Sequence, residues 1–113
     1  MNEVRLIGTL VSSVAIRHRR GVTATFGRAV IAVTRAGGYG IDFIPVRLRR
    51  REALDAVNYL GEGSEVSIIG RLHSVKTPAV GGPAVSRRWC RLYVVADRVM
   101  YVRIYPSAGR GRP

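Results

Sequence analysis

Arginine is the residue through which this sequence can do most of its chemistry. Eighteen arginines and a single lysine, Lys76, stand against seven acids and leave a formal charge of +12. Such an excess favours polyanionic partners, nucleic acid ahead of an anionic membrane surface. The guanidinium group grips phosphate bidentately and offers a flat face to a base. A GC-rich genome would produce the ratio of arginine to lysine by codon usage; it would not produce the excess of base over acid. Rings are interleaved with the arginines: Phe26 with Arg28, Phe43 with Arg47 and Arg49, and Trp89 with Arg91 and Tyr93. Sequence-tolerant binding of a single strand needs that combination, each stacked base contributing about 1–3 kcal/mol. Phosphate contacts then make affinity fall steeply with salt.

Other chemistries are poorly supplied. The two histidines, His18 and His73, are far apart, and no His/Cys/Asp group has metal-ligand spacing. Glu52, Asp55, Glu62 and Glu65 fall on or beside a helical stretch, where solvation is their usual role, and Asp42 and Asp97 lie in strands without an evident partner carboxylate. Gly37-Gly38-Tyr39-Gly40 lacks the Gly-Lys-Ser/Thr ending of a phosphate loop. Cys90 has no partner for a disulfide and, beside Leu92 and Val94, reads as a buried inert thiol. No enzyme, cofactor or metal site is expected.

The elements that must position the arginines follow from periodicity. Residues 3–10 alternate, with Val4, Leu6 and Leu10 against Glu3, Arg5 and Thr9, and Val14 and Ile16 continue the pattern. His18 to Gly21 reads as a turn, 22–34 as a long Val/Thr/Ile strand, 37–40 as a loop and 41–49 as a third strand. Ala53, Leu54, Val57 and Leu60 then mark one face of a short helix stopped by Gly61 and Gly63. Val66, Ile68 and Leu72 resume the period of two, a Gly/Pro-containing loop spans 76–87, and 88–102 forms the last strand. An all-β chain of five strands, with one short helix between the third and fourth, has the order of the OB fold, a Greek-key barrel.

Parity sorts the side chains. Ile44, Val46 and Leu48 should face a core and Phe43, Arg47 and Arg49 the other way; Ala29, Ile31 and Val33 oppose Phe26 and Arg28. Val66, Ile68 and Leu72 oppose Arg71 and His73, while Cys90, Leu92 and Val94 oppose Trp89, Arg91 and Tyr93. Arginine and aromatic residues therefore recur on the outward parity. The candidate nucleic-acid-binding set is Arg5, Phe26, Arg28, Arg35, Tyr39, Phe43, Arg47, Arg49, Arg71, His73, Lys76, Trp89 and Arg91. Outward arginines also keep strand edges soluble, and outward rings also form subunit contacts.

At 113 residues the chain is one domain. Residues 1–104 are expected to form it, with 105–113 a short basic disordered tail. No apolar run approaches the roughly 20 residues of a membrane span. The N-terminus lacks the layout of a secretory signal, so a cytoplasmic protein is expected.

Four stretches, in order, resemble bacterial and phage single-stranded DNA-binding proteins. Met1-Asn2-Glu3-Val4-Arg5-Leu6-Ile7-Gly8-Thr9-Leu10 is similar to the family's opening, and Asp42-Phe43-Ile44-Pro45-Val46 to its third strand. Asn58 to Val66, followed by Ile69-Gly70-Arg71-Leu72, resembles its helix end and fourth strand, and Val94-Val95-Ala96-Asp97-Arg98-Val99 its last strand. The resemblance implies an OB fold, usually a homotetramer, that coats single-stranded DNA in replication, recombination and repair. It places Phe43 where a family aromatic stacks on a base. It also makes the first strand, with Val4, Leu6 and Gly8, the expected subunit edge.

The departures carry information too. Arg49 falls where the family usually has a second aromatic, the loop from Lys76 to Arg87 lacks the family's ring, and Tyr39 is the stand-in after Thr34. Binding should therefore lean on arginine and be salt-sensitive. The ending Ala108-Gly109-Arg110-Gly111-Arg112-Pro113 lacks the family's acidic tip, which argues against tail-mediated recruitment of enzymes. A phage-encoded protein or a secondary bacterial copy fits that ending, as does a shortened sequence. The alternatives are a dimeric OB relative of the primosomal replication type, and a basic β module that binds protein or RNA.

Overall fold

The computed structural model describes residues 1–18, 25–76 and 90–106. Its elements are β1 (Val4–Leu10), β2 (Ala15–His18), β3 (Thr25–Thr34), β4 (Ile41–Arg49), α1 (Arg50–Tyr59), β5 (Glu65–Lys76) and β6 (Cys90–Arg103). The order is the expected one except that the first strand is broken. β1 runs antiparallel to β5 from Val4 opposite Gly70 to Thr9 opposite Glu65, and it also meets β3 at Thr9–Ala32 and Leu10–Ile31. β2 continues along β3, from Ala15 opposite Arg28 to His18 opposite Thr25. One uninterrupted strand could not serve both neighbours, so the chain bends between Leu10 and Ala15, where Val11 N–H donates to the carbonyl of Val30 at 3.0 Å.

The sheet closes on itself. Its circuit is β1–β5–β6–β4–β3 and back to β1, with β2 as an extension beside β3. The link between β4 and β6 is parallel, at Val46–Val94 and Arg47–Val95, and every other pairing is antiparallel. This is a five-stranded Greek-key barrel of the OB type, and closure leaves unpaired edges, among the described residues, along the start of β1 and along β2.

Two glycines permit the close approaches that closure needs. A Cβ on Gly8 would lie 2.5 Å from the Ala32 carbonyl oxygen, at the seam between β1 and β3. On Gly70 it would run into the carbonyl of Val95. Beside Gly70 the β5–β6 register slips, Ile69 facing Arg98 and Gly70 facing Ala96, so Asp97 is left without a cross-strand partner. Such a bulge bends the strand and re-aims side chains.

The core is the inner parity of the strands, with Leu10, Ile31, Val46, Leu48, Val66, Ile68, Val94 and Ala96 all buried. Helix α1 caps it with Ala53, Ala56 and Leu60. A Cβ on Gly27 would lie 2.6 Å from that of Ala53, so a side chain there would push the helix off β3. Leu54, expected on the apolar face, is exposed, and Ala56 takes its place. At about 100° per residue, 53, 56, 57 and 60 make the narrower stripe.

Leu72 and Leu92, expected in the core, are 42% and 51% exposed. Their parity is as expected, since Leu72 sits opposite buried Val94. Beyond that pair, however, β5 and β6 run on as a two-stranded arm, and among the described residues no further strand pairs with it to bury them. The turn expected at 18–21 and the loop at 76–87 lie mostly outside the described residues, as do Trp89, the side chains of Lys76 and Cys90, and the tail from 107. No helix among the described residues is long and apolar enough to cross a membrane.

After β6 the chain stays tied to the barrel at Tyr105. The hydroxyl of fully buried Ser64 donates to the Tyr105 carbonyl and accepts from the Tyr105 N–H, both at 2.9 Å. Gly61 N–H also donates to that carbonyl, at 2.6 Å. Ser64→Ala should therefore lower stability to urea by about 1–3 kcal/mol, because the Tyr105 N–H loses its partner. Gly8→Ala should cost a similar amount, about 1–3 kcal/mol, by overpacking the β1–β3 seam. Equilibrium unfolding curves check both.

Candidate nucleic-acid interface

β3 and β4 pair without a register shift from Phe26–Arg49 to Thr34–Ile41, so their outward side chains stay aligned along the whole ladder. Arg28 faces Arg47, Arg47 faces Val95 across the parallel join, and Val95 faces Arg71. A row of outward positions thus crosses β3, β4, β6 and β5 and carries three arginines. On the arm beside it, Tyr93 faces His73 and Arg91 faces Val75.

Arg47 is the centre of this surface. Its guanidinium carbon lies 4.1 Å from the centroid of the Tyr93 ring and 5.2 Å from that of Phe26. The attraction of a cation to a ring face is worth about 0.5–1 kcal/mol at exposed sites. It holds a planar cation over the two rings, where a guanidinium can meet a base or a phosphate. His73 also packs against Tyr93, with ring centroids 5.7 Å apart and planes at 58°. Two grooves meet at Arg47 and Tyr93. One is lined further by Ser12, Ser13, Arg28 and Arg91, the other by His18, Phe26 and Arg49.

Phe43 stands farther along β4, opposite Ala32, and is 64% exposed. Among the described residues no ring or guanidinium covers it. At that end of the ladder Gly37, Gly38 and Gly40 all take positive φ, which shapes the turn that presents Tyr39 at 86% exposure. Arg35 is pinned at the base of this loop. Its Nε donates to Asp42 Oδ1 at 2.9 Å, and its backbone N–H donates to the carbonyl of Gly40. The hydrogen bond to Asp42, reinforced by its charge, pushes the Arg35 pKa up.

Arg49 is the residue before α1, yet its side chain does not cap the helix. Its Nη2 instead donates to Asp97 Oδ1 at 2.7 Å. Arg71 reaches the same carboxylate from the other side, Nε to Oδ2 and Nη2 to Oδ1, both at 3.2 Å. One acid thus holds an arginine from β4 and another from β5.

The structure brings Phe26, Arg28, Phe43, Arg47, Arg49, Arg71, His73 and Arg91 onto one continuous outward surface, with Tyr39 and Arg35 at its end. Arg5 stands apart, opposite Ile69 on β1 and ion-paired to Glu3 at 2.5 Å. Val4 and Leu6 pack inward against the core, and Gly8 is buried at the seam. Trp89 and the side chain of Lys76 lie outside the described residues.

Two contributors were absent from the sequence-derived set. Tyr93 had the right parity but not the weight that its contacts with Arg47 and His73 give it. Asp97 had no visible partner, because its two arginines come from other strands. Among the described residues no group of His, Cys, Asp and Glu could hold a metal ion.

No family model matches the chain. The curated "Single-stranded DNA-binding protein" of Clostridium tetani (strain Massachusetts / E88) is 32% identical over 106 residues, which cover 90% of this chain and 70% of that protein. At that identity and coverage, the chain belongs to the single-stranded DNA-binding protein family.

Proposed function

We propose that this protein binds and coats single-stranded DNA, with little sequence preference, on the outward face of β3, β4 and β6 and the β5–β6 arm. The observation that carries the reading is Arg47 laid across Phe26 and Tyr93, flanked by Arg28, Arg49, Arg71 and Arg91. The printed name of the Clostridium tetani relative supports it. Family members are binding proteins rather than enzymes, and this chain is one of them. Cytoplasmic action in replication, recombination and repair is part of the same proposal.

The face offers few free rings, Phe43 and Tyr39 being the most exposed, and many cations. Phosphate neutralisation by arginine then supplies much of the affinity, with stacking adding to it. Titrating oligo-dT at several salt concentrations, followed by the fluorescence of the single tryptophan, Trp89, tests this. Quenching and a steep fall of affinity with salt are expected; no quenching and no gel shift at low salt would reject single-strand binding. Phe43→Ala should cost about 1–3 kcal/mol of binding with the salt slope unchanged. Arg47→Ala should weaken binding and flatten the slope of log K against log salt by about 0.7. Oligo-U and duplex titrated in parallel distinguish an RNA or double-strand preference.

Self-association belongs to the proposal as well, as a homotetramer, with a dimer as the alternative. β1 gives one edge to β5 along Val4–Thr9 but pairs with β3 only at Thr9 and Leu10, which among the described residues leaves the other edge of residues 4–7 unpaired. Because Val4 and Leu6 point inward, a partner would meet that backbone edge together with outward Ile7. Solution mass should be about four times the 12.4 kDa chain. Twice that mass would select the dimer, and a monomer would reject both.

A further inference from the structure

Asp97 occupies an unusual place on the proposed binding surface. It is the bulged residue of β6, skipped by the register that joins Ile69 to Arg98 and Gly70 to Ala96. Freed from the ladder, its carboxylate sits between Arg49 of β4 and Arg71 of β5, the strands that flank β6 on either side. Both oxygens are engaged: Oδ1 takes Nη2 of each arginine, and Oδ2 takes Nε of Arg71. Of the other acids, Glu52 and Asp55 lie on α1, Glu3 just before β1, Glu62 before β5, Glu65 at the start of β5, and Asp42 at the far end of β4 with Arg35.

A carboxylate and a phosphate diester compete for the same guanidinium edge, because each presents two oxygens to the same fork of donors. The Asp97 pairs are well placed to be displaced. The side chains of Arg49 and Arg71 are 58% and 44% exposed, and that of Asp97 is 36% exposed. Exposed ion pairs of this kind are weak and screened by salt. A carboxylate left among incoming phosphates would also repel them.

We infer that Asp97 is a built-in competitor for the DNA backbone. In the free protein it occupies Arg49 and Arg71; a bound strand puts a phosphate in its place on Arg71, whose bonds to Asp97, at 3.2 Å, are the longer. The residue thereby lowers affinity and flattens its salt dependence, keeping an arginine-rich face from holding its strand too tightly. The inference rests on the proposed single-strand binding at this face.

The test compares wild type, Asp97→Asn and Asp97→Ser with Asp55→Asn, which makes the same change of charge on α1. Each is titrated with oligo-dT from low to high salt, after a thermal melt confirms folding. The cost of breaking the Asp97 ion pair is largest at low salt, so removing it steepens the slope of log K against log salt by the value of one phosphate contact, ~0.7, which amounts to about 8-fold tighter binding at 50 mM salt if the curves converge near 1 M. Both Asp97 variants should show this gain, and Asp55→Asn should show much less. In the unaltered protein the Nε–H resonance of Arg71 should also shift when oligo-dT is added. Binding by the Asp97 variants that is equal to or weaker than wild type, or tighter only as much as in Asp55→Asn, overturns the inference and leaves single-strand binding standing. So does an Arg71 resonance that does not move. If wild type itself fails to bind oligo-dT at low salt, the proposed function falls and this inference falls with it.

Discussion

Closure of the barrel at the β1–β3 seam is the constraint on which the rest of the structure depends. Thr9 and Leu10 meet Ala32 and Ile31 only because Gly8 has no side chain to strike the Ala32 carbonyl. Once the sheet is closed, one parity of each strand is enclosed along the length that lies within the barrel, and the other faces water. Val46 and Leu48 must then be apolar, and Arg47 between them is free to be charged. The bend that closure imposes also divides the first strand, lays β2 along β3, and places Ser12 and Ser13 at the rim of the groove beside Arg28 and Arg91.

The same geometry concentrates charge. The +12 excess is not spread evenly over a sphere. Several of its arginines are aligned across β3, β4, β6 and β5 by strand register. Neighbouring cations repel, and the structure tempers this in two ways. Arg47 is laid over aromatic faces, while Arg49, Arg71 and Arg35 are given carboxylate partners. Such a surface is held below its full electrostatic reach until a polyanion arrives. Positive grooves without that tempering draw nucleic acid tightly and in any form, so the placement of the few acids matters as much as that of the many bases.

Most of the architecture was legible because alternation is a local property. Residues 41–49 contain no bulge, so reading inward and outward residues from parity reproduces the burial of Val46 and Leu48 and the exposure of Phe43 and Arg49. What was illegible depends on distant partners. The alternation of Val14 and Ile16 gives no sign that the strand has already broken. Leu72 and Leu92 have core parity, but whether a wall stands opposite them is decided by where the barrel ends. Leu54 is exposed and the smaller Ala56 buried, and α1 meets β3 through Ala53 on Gly27, a contact between elements far apart in sequence. Asp97 is the clearest case. A one-residue slip in pairing turns an unpartnered strand acid into the shared ligand of two arginines, and nothing within its own strand announces the slip.

The central claim is that the outward face of β3, β4 and β6 receives a single strand of DNA. Mapping backbone and arginine Nε–H resonances while oligo-dT is added tests it most directly. The account predicts shifts concentrated at Phe26, Arg28, Phe43, Arg47, Tyr93 and Arg71, with α1 residues such as Asp55 and Asn58 unmoved. Shifts confined to α1 or to the open edge of β1, or no shifts at low salt, would contradict it.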